Sequence, residues 1–144
     1  STGGRIIGFG DRRDGMSEIR DRQIYMRASG QISFGVLDTK KTPALLTGTD
    51  TYNTGEWTYI AGVCSMGSLK LYVNGELVDS GKKVDPLLSQ GFWRVGYDIM
   101  NGWPGEPVTY TLDCSIDDAR IYTRALSEAE IMALYHENGY AVSK

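Results

Sequence analysis

The chain reads as an antiparallel all-β sandwich with one short helix near its C-terminal end. Three observations carry that reading. Short alternations of apolar and polar residues recur along most of the sequence, Gly-containing turns separate them, and only one stretch has helical spacing. The 144 residues include 18 Gly, 4 Pro, 9 Tyr and 3 Trp, a composition suited to tight turns joining aromatic-rich strands. That length fits a single domain over residues 1–144, and no internal repeat or linker divides it. A formal charge of -3 gives no electrostatic reason to expect nucleic acid or an anionic membrane as partner. No apolar run approaches the roughly 20 residues that span a bilayer, so membrane insertion is not expected. The chain opens on Ser1 without a basic-then-apolar leader and reads as a processed or excised piece.

Taken in order, "GGRIIGF" is a short apolar run, followed by the charged "GDRRDGMSEIRDR", which reads as an exposed loop. Asp11, Asp14 and Glu18 surround a Gly in that stretch, but the spacing is not that of a calcium loop, and a solvated turn is expected. Ile24, Met26 and Ala28 alternate with polar residues, "SG" turns the chain, and Ile32, Phe34 and Val36 repeat the alternation. Residues 23–37 therefore predict a hairpin. A polar loop with a brief strand around 44–46 follows, then a long strand over "EWTYIAGVCSM". In "LKLYVNGELVDSG", Leu69, Leu71 and Val73 share one face, and Asn74-Gly75 predicts a type I′ turn. "FWRVGY" is a further strand, "DIMNGWPGEP" a long loop, and "VTYTLDCSIDDARIY" the last extended run. Ser127 and Glu130 form a capping box ahead of Ile131, Leu134 and Tyr135 at helical spacing, with Gly139 as C-cap. Roughly nine strands and one helix result.

Three stretches narrow the class. "EWTYIAGVCSMGSLKLYVNGELV" resembles the Trp-His-x-Val-Ala … Leu-Tyr-Val-Asn-Gly hairpin of laminin G-like domains, and "FWRVGY" the Leu-x-Ile-Gly strand after it. "SIDDARIYTRALSEAEIMALY" closely resembles the Ile-Asp-Asp-Val-Arg-Ile-Tyr-x-Arg-Ala-Leu-Ser ending of the bacterial laminin G-like group. The likeness covers about residues 56–136 and implies the concanavalin A-like lectin/glucanase fold, a jelly-roll sandwich. The chain departs from the pattern in two ways. The usual opening Phe-Asp-Gly and Phe-Thr-x-x-x-Trp stretches are not present, which leaves sheet positions to be filled by a preceding domain or by a second copy in a homo-oligomer. Cys114 also stands where the family ending usually has the Gly of Gly-x-Ile-Asp-Asp, and a small residue there implies close packing.

Asp117 and Asp118 sit where the apolar face of the last run changes parity: Leu112, Cys114 and Ile116 point one way, Ala119 and Ile121 the other. A β-bulge would account for the switch. The pair reads first as a structural clasp, through backbone amides or through Arg120 and Arg124, and second as calcium ligands together with Asp98. Catalysis is not expected. The glucanases that share this fold carry Glu-x-Asp-x-Glu on one strand, and no such run occurs here. Glu56, Glu76 and Glu106 sit singly at turns or loops, and His136, the sole histidine, reads as a surface residue of the helix. Cys64 and Cys114 have no metal-ligand spacing; buried thiols are the leading reading and a disulfide the alternative.

Jelly-roll lectins hold sugars on aromatic platforms with short polar groups at the hydroxyls. The long loop supplies those types in Tyr97, Asp98, Asn101, Trp103 and Glu106, with Trp103 either a platform or a loop anchor, whereas Trp57 and Trp93 match core positions. The leading function is a non-catalytic carbohydrate-binding or adhesion module, calcium-assisted, meeting a surface glycan in an extracellular, cell-surface or virion-associated protein. The alternative is a structural or assembly module that uses its sheet edge for protein contacts. A glycoside hydrolase is the weakest of the three.

Overall fold

A computed structural model describes residues 3–137, and among these the chain forms eight strands and one helix. The strands are β1 (Gly4–Gly10), β2 (Arg20–Met26), β3 (Gln31–Leu37), β4 (Pro43–Thr51), β5 (Ile60–Ser65), β6 (Ser68–Val73), β7 (Glu76–Lys83) and β8 (Phe92–Val95), and the helix α1 is Glu128–Glu137. They build a five-stranded sheet, β4-β3-β2-β1-β8, and a three-stranded sheet, β5-β6-β7. Every ladder is antiparallel. The architecture is that of a jelly-roll sandwich with a single helix, as the alternation and turn pattern predict.

The core follows from register. Val95 stands opposite Ile7, Ile7 opposite Ile24, Ile24 opposite Phe34 and Phe34 opposite Leu46, so one apolar row crosses all five strands. Residues directly opposite one another share a face, and this row is the inner one. Leu69 and Leu71 of β6 descend onto its β3–β4 end and are fully buried with Ile32, Val36 and Leu46. Burying each of these side chains contributes about 1.5–3 kcal/mol relative to leaving it in water. The small sheet packs on β3 and β4, and the Thr47 amide donates to Asp79 on β7 at 2.9 Å. Two bulges bend the β1–β2 ladder, and Arg22, at φ 47°, occupies the one in β2.

The outer face of the large sheet is covered as well. Tyr25 and Leu37 form a second cluster with Met100 and Trp103 from the loop after β8. Trp103 lies edge-on to Tyr25 at 6.2 Å and is 4% exposed. Gly35 is the strand position beneath it: an added Cβ would come within 2.5 Å of the Trp103 ring and 2.9 Å of the Ala44 carbonyl oxygen.

Several predicted elements hold. The hairpin of residues 23–37 is β2–β3, with Ile24 paired to Phe34 and Met26 to Ile32. Asn74 and Gly75 have φ of 51° and 81°, the double positive φ that a type I′ turn requires, between the paired Val73 and Glu76. The capping box is reciprocal: the Glu130 amide donates to Ser127 Oγ at 3.2 Å and the Ser127 amide to Glu130 Oε2 at 2.8 Å. Gly139, the expected C-cap, lies outside the described residues.

Other elements differ. β4 runs nine residues rather than a few around 44–46, because Thr47, Thr49 and Thr51 extend a ladder that reaches Gln31. β5 is shorter than "EWTYIAGVCSM" and starts at Ile60. The last extended run is not a strand: Thr111 makes one isolated bridge to Tyr97, and residues 112–126 join no ladder. The parity switch is therefore no β-bulge. Asp118 has φ 54°, which ends the extended backbone where the apolar face changes. Trp57 and Trp93, expected in the core, are 59% and 41% exposed; Trp93 sits at the β1–β8 end of the inner face, over which no strand lies among the described residues. Gly35→Ala is expected to destabilise the chain by about 1–3 kcal/mol through overpacking against Trp103, read as a lower urea midpoint with an unchanged slope.

Candidate functional site

Two regions bring chemistry-bearing residues together, and they differ in kind. The first is the loop that sequence reasoning selects as the ligand site. Asp98 is completely buried, with Oδ2 2.6 Å from Nη1 of the equally buried Arg5 and 3.2 Å from Nη1 of Arg94. Its oxygens also accept from the Ser17 amide at 3.1 Å, the Ser17 hydroxyl at 2.7 Å and the Ile99 amide at 2.8 Å. Burial opposes ionisation, but the Ser17 hydrogen bonds and the Arg5 charge outweigh it and hold the Asp98 carboxyl below the usual range. Burial lowers the Arg5 guanidinium to about 10. The Arg5–Asp98 contact is close in distance but poorly aligned as a hydrogen bond, and Arg5 Nε and Nη2 have no hydrogen-bond partner among the described residues.

The rest of that loop is turned inward or against itself. Trp103 is an anchor in the outer cluster and offers no platform to a sugar, because Tyr25 and Gly35 take its faces and edges. Glu106 accepts from the Gly102 amide at 2.9 Å, and the Asn101 carbonyl accepts from Arg20 at 3.0 Å. The Tyr97 ring sits under Arg94 at 5.0 Å. Tyr97, Asp98, Asn101, Trp103 and Glu106 are thus neighbours along one loop whose contacts pin it to the sheet. Arg5 and Ser17 were missed; the signal for Arg5 was a charge inside the apolar run "GGRIIGF".

Asp117 and Asp118 lie at the protein surface, apart from that clamp. The Asp118 amide donates to Asp117 Oδ1 at 2.8 Å, and Arg120 grips both Asp118 oxygens at 2.7 and 2.8 Å. The same Arg120 reaches Glu137 of α1 at 2.8 Å, and Arg124 pairs with Glu130 at 2.7 Å. Hydrogen bonds from Arg124 and Ser127 bring the Glu130 carboxyl down to about 2. This is a clasp between residues 117–124 and the helix. The three aspartates do not fit a calcium ion, which takes six to eight oxygens: Asp98 faces two guanidiniums, Asp118 is held by Arg120, and no three His, Cys, Asp or Glu side chains converge among the described residues. Asp11 Oδ1 accepts from the Glu18 and Ile19 amides as a turn cap. His136 is an exposed residue of α1.

The second region is an open cleft of about 850 Å³ between the sheets. Its floor is the uncovered end of the apolar row, Val95, Ile7 and Ile24, with Trp93 alongside at 5.5 Å from Phe9. One side is β5, and every residue from Leu112 to Leu126 also lines it, with Ile116, Ile121 and Tyr122 between 38% and 45% exposed. Trp57 stands in its lining with Asn53 and Glu56. Cys64 and Cys114 line it as free thiols, the first half-buried and the second exposed rather than buried as expected; burial raises both thiol pKa values.

A family model described as the concanavalin A-like lectin/glucanases superfamily, of the laminin G type, matches residues 1–132. The chain belongs to that family. No curated protein matches it. Among solved structures, residues 221–444 of an S-layer domain-containing protein from Clostridium thermocellum align at 24% identity and TM-score 0.48, over 92% of this chain and 63% of that one. The receptor-binding domain of botulinum neurotoxin D aligns at 19% identity and TM-score 0.54, over 94% of this chain and 32% of that one. The laminin G-like chain therefore spans less than two thirds of either. The second likeness shows a shared fold. No helix among the described residues is long and apolar enough to cross a membrane.

The buried clamp gives a sharp expectation. Asp98→Asn leaves Arg5 buried opposite a neutral amide and costs about 3–5 kcal/mol at pH 7. Because the folded-state pKa of Asp98 is depressed, its contribution is present above the ordinary carboxylate pKa of about 4 and is lost as pH falls through the lower folded value. Urea midpoints of the parent and the variant should therefore converge as pH is lowered below about 4.

Proposed function

We propose that this chain is a non-enzymatic binding module of an extracellular or surface-exposed protein, and that its working surface is the half-open interior between its two sheets. One observation carries the reading: an apolar cleft of about 850 Å³ that opens onto solvent, with Trp93, Val95, Ile116, Ile121 and Tyr122 all more than a third exposed in its lining. A soluble chain leaves that much contiguous apolar surface uncovered only where another molecule meets it. The clamped loop of residues 97–106 supports the same choice, since its polar groups are already bonded to the protein. The partner class is another polypeptide, because the cleft runs beside the β5 edge, which pairs with no strand among the described residues, as well as an apolar floor.

A surface glycan is the second reading, and Trp57 favours it. This ring is 59% exposed in the cleft lining with Asn53 and Glu56 nearby, the combination of a flat apolar face and short polar groups that holds a pyranose. Immobilised protein probed in parallel on peptide and glycan arrays separates the two. We expect retention of peptides, unaffected by EDTA, abolished by Val95→Asp on the cleft floor and unchanged by Met66→Asp, whose side chain is fully exposed elsewhere. Glycan retention lost in Trp57→Ala would establish the second reading instead, and no retention on either array at millimolar protein would end both.

A further inference from the structure

The outer face of β1 and β2 holds a buried polar group that no contact among the described residues completes. Arg5 stands opposite Tyr25, so its side chain leaves β1 on the outer face. It then runs along the strand and lies on Gly8: an added Cβ there would come within 2.6 Å of Nη2, 2.8 Å of Nε and 3.0 Å of Cζ. Gly8 falls between Ile7, opposite Ile24, and Phe9, opposite Asp21, which puts Gln23 beside it on β2. Gln23 shares the outer face with Tyr25, and its partner on β3 is Gly35, the position under the Trp103 ring. Glycines thus flank Gln23 on both neighbouring strands, and each gives its Cβ space to a side chain from elsewhere.

Arg5 and Gln23 are both 0% exposed. Among the described residues, Arg5 Nε and Nη2 and Gln23 Nε2 and Oε1 have no hydrogen-bond partner. Native interiors leave few such groups, because each has given up water without replacement. The Arg5 atoms are a particular pair. Nε–H and Nη2–H form one edge of the planar guanidinium and point the same way, the fork that takes a bidentate acceptor. Arg120 shows the same edge in use, with Nε and Nη2 at 2.7 and 2.8 Å from the two Asp118 oxygens. In Arg5 the Asp98 carboxylate is instead at Nη1, on the β8 flank of β1. The Nε/Nη2 edge is the opposite one and faces the β2 flank, where Gln23 stands.

We infer that Arg5 and Gln23 hold a single monovalent anion of halide size, chelated by Arg5 Nε and Nη2 and closed by Gln23 Nε2. Two counts select an anion over water. Three of these nitrogens donate and one oxygen, Gln23 Oε1, accepts, so the group asks chiefly for an acceptor. The charges point the same way. Arg5 and Arg94 share one carboxylate, Asp98, while Arg20, close enough to act on the Arg5 charge, donates to the Ser17 and Asn101 carbonyls. Asp21, the next buried carboxylate on β2, is already matched by Arg22 and the Leu37 amide. A buried cation in excess is costly, and water satisfies its hydrogen bonds without cancelling its charge. Size follows from burial. With no surface exposed at either side chain, a peptide carboxylate or a further length of chain has no way in, whereas a monatomic ion enters by local opening. Neither end of the described chain adjoins the fork, since Gly3 packs against Met26 and Ala28, and Glu137 pairs with Arg120. The site lies on the sheet face opposite the cleft and does not depend on what the cleft binds.

Bromide and chloride are the probes. Crystals of the whole chain grown in sodium bromide should show an anomalous peak between Arg5 and Gln23, within hydrogen-bond reach of Arg5 Nε and Nη2. In solution, chloride replaces gluconate at constant ionic strength while urea unfolding is followed. The folded-to-unfolded ratio of the parent should rise about tenfold for each tenfold increase in chloride above the dissociation constant. Gln23→Glu sets a carboxylate of the chain itself at that point. It should keep the urea midpoint that the parent reaches in chloride and lose the chloride response. An ordered water at the fork with no bromide peak would overturn the inference by making water the occupant. An equal chloride response in the parent and Gln23→Glu would overturn it by placing the ion elsewhere. A bromide peak with no chloride response in the parent would be binding at crystal concentration only, and would overturn it as well. Should Gln23→Glu fail to fold, the parent's bromide peak and chloride response decide together: both present support the site, and the loss of either overturns it.

Discussion

Among the described residues five strands share one apolar face, and three strands are available to cover it. That mismatch organises the molecule. The row from Leu46 through Phe34, Ile24 and Ile7 to Val95 is a consequence of register, and a sheet face of that kind is stable only when something apolar lies on it. Leu69 and Leu71 cover the Phe34–Leu46 end and make the core. At the Val95 end the same face forms the floor of the cleft. Core and cleft are therefore one surface in two states, dry and open.

The outer face shows how the chain rigidifies the strands that carry this row. Trp103 and Met100 fold back over Tyr25 and Leu37, so β2 and β3 are buried on both sides. The loop that does this is held by the Asp98 clamp, where one carboxylate receives two guanidiniums, a hydroxyl and two backbone amides. A buried charge with that many partners fixes a loop in one place, because releasing any partner leaves the others desolvated and unmatched. The aromatic and polar residues that make this loop resemble a sugar site are the ones spent in closing it.

The helix and the segment of residues 112–126 are joined differently. Their clasp of Arg120, Asp118 and Glu137 is on the surface, in water, where ion pairs contribute little individually and yield easily. Ile131 and Tyr135 hold the helix itself, both buried. Residues 112–126 thus meet the core through Leu112 and the helix through exposed charges, with Ile116, Ile121 and Tyr122 half-exposed along the cleft.

What was legible in the sequence were features set by neighbours along the chain. The β2–β3 hairpin follows from period-two alternation, the Asn74-Gly75 turn from two residues that tolerate positive φ, the helix start from a Ser and a Glu three apart, and the family from ordered motifs. Local order of this kind needs no knowledge of what packs against it. The fate of Trp103, Trp57, Trp93 and the SIDDARIY run depended on contacts made across the sheets. Trp103 is inside because Gly35 leaves room for it, and Trp93 is outside because no strand among the described residues lies above β8. SIDDARIY has the pattern of a strand but joins no ladder among the described residues, so tertiary structure left it outside both sheets. Alternation decides which face a side chain takes, but only the count and placement of strands on the opposite layer decides whether that face meets protein or solvent.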